Sequence, residues 1–182
     1  MEILGIDIGF GFTKATDGKQ DLVFKSVLGE ATDIQFRDDM ISVDDDLDKH
    51  LQIEVDGKSY FAGELAERQS NVRFFTLDQA QFIGKFAKVF ALAAAAKMVK
   101  GFVPLNLVTG LPIGYYRQYK DELAKLLVGE HNVVLIDGNG KREEKSISIK
   151  KVRVVPQPFG SLFNLMLNDV GELGDKRLVK DK

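Results

Sequence analysis

The chain has 182 residues, 45% of them hydrophobic and 29% charged, with a formal net charge of −2. That balance is ordinary globular usage, so a disordered or collagen-like chain is excluded, and there is no basic excess to hold nucleic acid directly. Neither Cys nor Trp occurs, which also excludes disulfide frameworks, thiolate chemistry and cysteine-ligated zinc.

Ile3, Leu4, Ile6 and Ile8 read as a buried strand. FTKAT follows, then the turn DGKQ and the run LVFKSV, together predicting three short antiparallel strands. Residues 29–75 differ in character. Asp38, Asp39, Asp44, Asp45, Asp46 and Asp48 crowd one stretch, and LQIEVDGKSYFAG reads as a hairpin about Asp56–Gly57. A small β-rich lobe inserted at 29–75 is expected. The acid cluster lacks the spacing of a calcium loop and reads as a solvated loop.

Thr76 and Gln79 form a capping box. Phe82, Ile83, Phe86, Val89, Phe90 and Ala93 then give one apolar face of a long helix that Gly101 is expected to stop. PLNLVTG reads as a buried strand and GLPIG as a turn, with a second helix from Tyr116 to Leu127 ending at Gly129. NVVLID and KSISIKKVRVV flank DGNGK as another hairpin, FGSLFNLMLN is the last helix, and the tail GELGDKRLVKDK is polar. MEILGID has no basic region, long apolar core or small-residue cleavage site, and the longest helical run is too short and too lysine-broken to cross a bilayer. A soluble, cytoplasmic protein without membrane contact is expected. Three antiparallel strands followed by a βαβ unit predict an α/β fold, a mixed sheet with helices on its faces.

The chemistry concentrates in GIDIGFGFTKATDG. A Walker loop needs Ser or Thr after its Lys and then a helix, but Lys14 is followed by Ala15 and a turn. A dinucleotide fingerprint needs a third glycine where Lys14 stands. A hairpin that wraps a phosphate remains. Gly9 and Gly11 let backbone N–H groups approach anionic oxygens, Thr13 offers a hydroxyl, Lys14 offers charge, and Asp7 could hold hydrated magnesium. The same residues also serve a plain tight hairpin in which the glycines answer to geometry alone and Asp7 caps backbone groups.

Asp7-x-Gly9-x-Gly11-x-Thr13-Lys14 resembles the first phosphate segment of the actin-like ATPase superfamily, which includes actin, heat-shock chaperones and sugar kinases. LVTGLPIGYYRQYKDEL is similar to the strand–turn–helix of prokaryotic actin homologues of the plasmid-segregation (ParM/StbA) type. VVPQPFGSLF is similar to the segment before their mid-chain helix, where the family places the Gln or Glu that positions the attacking water. The resemblance implies a ribonuclease-H-like mixed sheet, domain I of an actin-like protein. It implies ATP or GTP with Mg bound by Gly9, Gly11, Phe12, Thr13 and Lys14. Asp7 would hold the metal through water and Gln157 would align the nucleophile. It further implies a head-to-tail filament of the protein with itself, serving plasmid or other DNA segregation through a DNA-binding adaptor, with no direct nucleic-acid contact.

The resemblance covers nearly all of the chain but only half of the family. Residues 1–182 are therefore expected to be one N-terminal domain, inactive alone, with the second nucleotide-clamping domain absent from the chain. A carboxamide orients water without taking a proton, whereas a kinase uses a carboxylate base, so Gln157 favours hydrolysis. A small-molecule kinase and a non-catalytic actin-like scaffold remain the other readings. His50 and His131 read as surface residues; Tyr115, Tyr116 and Tyr119 read as packing residues with hydroxyls at the rim, or as a binding face. Lys141, Arg142, Lys145, Lys150, Lys151 and Arg153 form a basic patch that fits either solvated strand faces or a filament or adaptor contact.

Overall fold

The computed structural model describes residues 2–31, 51–70, 73–74, 82–137 and 140–166. Strand β1 (Glu2–Ile8) buries Leu4, Ile6 and Ile8 but leaves Ile3 63% exposed. It is half-buried, where its apolar run predicts burial throughout. Strands β2 (Phe12–Thr16) and β3 (Asp21–Lys25) alternate in the same way and pair antiparallel, as expected. Between them Asp17 Oδ1 accepts the N–H groups of Lys19 and Gln20 at 2.8 and 2.9 Å, which holds its carboxyl below the usual range. LVFKSV does not continue as one strand. It breaks after Lys25, where the Ser26 N–H donates to Gly11 O at 2.9 Å, and pairing resumes in β4 (Leu28–Glu30).

Strands β5 (Leu51–Val55) and β6 (Lys58–Ala62) form the expected hairpin, with Asp56 at φ 51° and Gly57 at φ 75°, the geometry that Asp-Gly turns favour. The short helix α1 (Glu64–Gln69) and strand β7 (Arg73–Phe74) have no counterpart in the sequence reading. The capping box at Thr76 and Gln79, the aspartates from Asp38 to Asp48, His50, Gly138 and the polar tail lie outside the described residues.

The long helix appears as a π-helical segment, Phe82–Ala87, followed by α2 (Lys88–Met98). One apolar face was expected, yet every residue from Val89 to Ala96 is buried. A helix apolar all round is a core helix, and the alanine methyls let α2 lie close to the sheet. Gly101 does not end it. Val99 does, in an extended conformation, while Gln20 Nε2 donates to Met98 O (3.2 Å) and Lys145 Nζ to Ala96 O (2.7 Å). Those bonds satisfy carbonyls that the last turn leaves open.

Strand β8 (Leu105–Leu111) runs almost directly into helix α3 (Ile113–Leu127). GLPIG is thus no separate turn. Pro112 caps the helix, its carbonyl taking the Tyr116 N–H at 3.0 Å, so α3 begins before the expected Tyr116. Strands β9 (Gly129–Ile136) and β10 (Arg142–Pro156) form the second hairpin, and α4 (Pro158–Met166) closes the described chain. Among the described residues the strands make one mixed sheet, ordered β3-β2-β1-β8-β10-β9-β5-β6-β4-β7, with β1, β8 and β10 parallel. The core lies on the face covered by α2 and α3. On the opposite face Ile3 and Val23 stay more than half exposed. No helix among the described residues is long and apolar enough to cross a membrane.

Three of the six basic residues of the hairpin pair with acids. Arg142 bonds both Glu54 oxygens (2.8 and 2.5 Å), joining β10 to β5 across β9, and Lys145 meets Glu143 and Lys150 meets Glu130. Tyr116 and Tyr119 pack on the core, whereas Tyr115 is exposed.

Candidate functional site

Parallel strands gather their carboxyl ends on one side of a sheet, and sites form there because loops and helix starts converge at that edge. Here β1, β8 and β10 end at Ile8, Leu111 and Pro156, with Gly110 beside Val155 and Leu111 beside Pro156. The hairpin after β1 is closed by the Gly9 N–H donating to Phe12 O at 3.0 Å. A Cβ on Gly9 would stand 3.1 Å from that same oxygen, so a side chain there would crowd the tight turn. Phe10 at its tip rests edge-on against Phe82, centroids 5.3 Å apart, which ties the hairpin to the start of the long helix. Among the described residues the N–H groups of Phe10 and Gly11 have no backbone partner.

Asp7 and Lys14 are direct cross-strand partners. Opposed residues of an antiparallel pair share a face, and both side chains are exposed. Phe12, two residues from Lys14 and half exposed, lies on the same side. Gln157 arrives from the end of β10. Its N–H donates to Leu111 O (2.8 Å), its carbonyl accepts the Gly160 N–H (3.0 Å), and its Nε2 donates to Asp7 Oδ1 (3.2 Å). Asp7, Lys14, Gly110, Gln157 and Gly160 line one open trough of about 730 Å³.

Thr13 stands apart from this group. It is fully buried on the opposite face, its hydroxyl 2.9 Å from Ser26 Oγ. Its side chain therefore anchors the hairpin from below and does not line the trough. Nothing in the sequence marks Ser26 as that partner. Gly110 was missed too, although a glycine inside a strand often marks a close approach by another group.

Other candidates gather less. His131, in β9, is half-buried with its Nε2 2.9 Å from Leu127 O at the end of α3, and is no free surface residue. A second cavity, about 680 Å³, is lined in part by Asp56, Tyr60, Phe86 and Lys88. Burial, then Asp56 and Glu30, push the Tyr60 hydroxyl up. Asp56 and Lys88 already pair there at 2.6 Å. The larger trough is the better candidate, because a carboxylate, a carboxamide and an ammonium, those of Asp7, Gln157 and Lys14, meet at it.

Among the described residues no three His, Asp or Glu side chains gather as a metal cage. A cation at Asp7 would be held by one carboxylate and water, as Mg²⁺ is beside substrate phosphates. The donor set fits an anion and a hydrated cation side by side.

Residues 5–160 match the family described as the N-terminal domain of actin-like proteins. In structure the chain is similar to a ParM filament from Clostridium botulinum, at 22% identity and TM-score 0.74, covering 92% of this chain and 53% of that one. It is similar to the pSK41 ParM protein in its apo form, at 21% and 0.72, covering 96% and 55%. It is also similar to an archaeal actin homologue in complex with ADP, at 18% and 0.68, covering 91% and 47%. The chain spans about half the length of these solved relatives. No curated protein matches it in sequence.

Proposed function

The chain belongs to the family of actin-like protein N-terminal domains, and from that premise we propose that it is one half of a nucleotide clamp in a filament-forming ATPase. The observation that carries the reading is the contact between Gln157 Nε2 and Asp7 Oδ1 at 3.2 Å, beside Lys14. Two residues 150 positions apart converge there, at the mouth of an open trough.

Bound Mg-ATP or Mg-GTP would supply the phosphoryl group and a metal that withdraws charge from it. Asp7 holds the hydrated cation through water. Lys14 offsets phosphate charge, and the N–H groups of Phe10 and Gly11 donate to phosphate oxygens. Gln157 would orient the attacking water, its side-chain oxygen accepting a hydrogen bond from the water while the amide stays neutral. Gly9 and Phe12 close the hairpin, and Thr13 contributes by holding it to the core.

The wider proposal is nucleotide-dependent, head-to-tail assembly of the whole protein, serving plasmid or other DNA partitioning. A net charge of −2 favours a separate DNA-binding adaptor over direct contact. The residues from 29 to 75 act as the inserted lobe of this domain, and a second domain closes the clamp. A half-clamp lacks much of the enclosing wall, so it binds weakly.

Titration of the chain with Mg-ATP and Mg-GTP, followed by amide chemical-shift mapping, reads even millimolar affinity. The expected shifts cluster at Gly9–Lys14 and at the Gln157 side chain, and Asp7→Ala weakens binding about tenfold, on the order of 1.4 kcal/mol. Shifts centred elsewhere, none at millimolar nucleotide, or an Asp7→Ala variant that binds as well as the parent would sink the proposal.

A further inference from the structure

Asp7 lies on β1 and Gln157 directly follows β10, two strands that do not touch. β8 lies between β1 and β10, and neighbouring strands are about 4.8 Å apart. The contact must therefore bridge two strand spacings, with the Gln157 side chain lying flat across β8. The residue beneath it is Gly110, paired with Val155 in register.

We propose that Gly110 is a positioning residue for Gln157, leaving open the space over β8 through which the carboxamide reaches Asp7. A Cβ built at Gly110 would stand 2.9 Å from Gln157 Cγ, closer than packed carbons come. The next nearest atoms, Gln157 Cα and Val155 O, are both 3.6 Å away, an ordinary contact. The glycine is not there for its backbone freedom. Gly110 sits in regular parallel register and is not among the positive-φ residues, and a glycine inside a strand weakens it.

Nor can the backbone of Gln157 retreat. Its N–H and carbonyl are both bonded, and prolines on either side restrict its torsions. Any side chain at position 110 must then swing Gln157 off its rotamer and away from Asp7. The role of Gln157 in turnover rests on the function proposed above, whereas the steric claim is tested without nucleotide, so the two can fail separately.

The test is NMR of the Gln157 side-chain amide, assigned by its loss in Gln157→Ala. In the parent chain this signal should shift on Asp7→Ala. In Gly110→Ala that response should be lost, and the signal should already lie away from its parent position. A signal and an Asp7 dependence identical to the parent's would overturn the proposal. Should Gly110→Ala fail to fold, the Gly110→Ala/Gln157→Ala double variant decides. Melting at the midpoint of Gln157→Ala alone supports the clash with Gln157; the same failure to fold in the double variant refutes it.

Discussion

The buried pair under the hairpin, Thr13 Oγ1 and Ser26 Oγ at 2.9 Å, separates a structural role for Thr13 from a ligand-binding one. Thr13→Val keeps the shape but strands the Ser26 hydroxyl, which is 4% exposed. A buried hydroxyl without a partner costs about 1–3 kcal/mol. Ser26→Ala does the same to Thr13, which is 0% exposed. Removing both hydroxyls together leaves nothing unsatisfied, and such a replacement is close to neutral. The cycle should therefore be strongly non-additive, with a coupling of roughly 2–3 kcal/mol. Urea unfolding measures it, and an unchanged m-value would show that the denatured state is the same in all four proteins. In a domain this size each kcal/mol moves the melting midpoint by roughly 2–4 °C. Nucleotide titration of the folded double variant should match the parent, because the hydroxyl faces away from the trough. Single costs that simply add, or a double variant with impaired nucleotide binding, would refute this account of Thr13.

Phe90→Ala should be among the most damaging single changes, because Phe90 is 1% exposed and its ring lies near those of Phe24, Phe82 and Phe86. A loss of about 3–5 kcal/mol is expected in urea unfolding, and one under about 1 kcal/mol would mean that the aromatic cluster is not a packed unit. Acid should weaken the fold through Glu54 and Glu130. Hydrogen bonds from Arg142 hold the first carboxyl below its usual range, and those from Ser148 and Lys150 the second. Their stabilisation is fully present above the unfolded value of about 4.3 and fades as pH falls through the lower folded values. Arg142→Ala should flatten that part of the melting profile, and identical slopes in parent and variant would contradict it. Gly57→Ala should cost about 1 kcal/mol, because position 57 sits at φ 75°, a conformation that glycine adopts readily and alanine does not. A melting midpoint unchanged from the parent would count against that strain.

Local signals made much of this fold legible. Asp-Gly pairs with positive φ at Gly18 and Gly57 announced their hairpins, and the order of elements implied a mixed sheet. The misreadings arose where tertiary contacts override local pattern. Ile3 looks buried because it is apolar, yet it lies on the open face; Val89–Ala96 look amphipathic, yet the helix is covered all round. The stop of α2 is set by Gln20 and Lys145, residues far off in the chain. At the site the residue pattern alone put Asp7 and Lys14 on one hairpin, whereas Gln157 was joined to them only through a family likeness. Their convergence depends on β8 lying between two strands that flank it, and no local window contains that order.

The alternation of the first hairpin ties the trough to the core. Ile6, Ile8, Thr13 and Ala15 are buried on the core side, whereas Asp7, Phe12 and Lys14 are exposed on the other face, where Asp7 and Lys14 line the trough. A strand has a strict period of two, so slipping β2 by one residue would send Lys14 inward and Thr13 outward. The apolar partners and the Thr13–Ser26 bond oppose that slip, and the Ser26 N–H to Gly11 O bond opposes it from just past the third strand. Phe10 on Phe82 fixes the tip from the helix side. The exposed ammonium and carboxylate thus need no contact with each other to stay side by side. Their register is imposed by residues on the other face of the sheet, which is why a conservative change at buried Thr13 should destabilise the domain while a change at exposed Lys14 should leave its stability nearly unchanged.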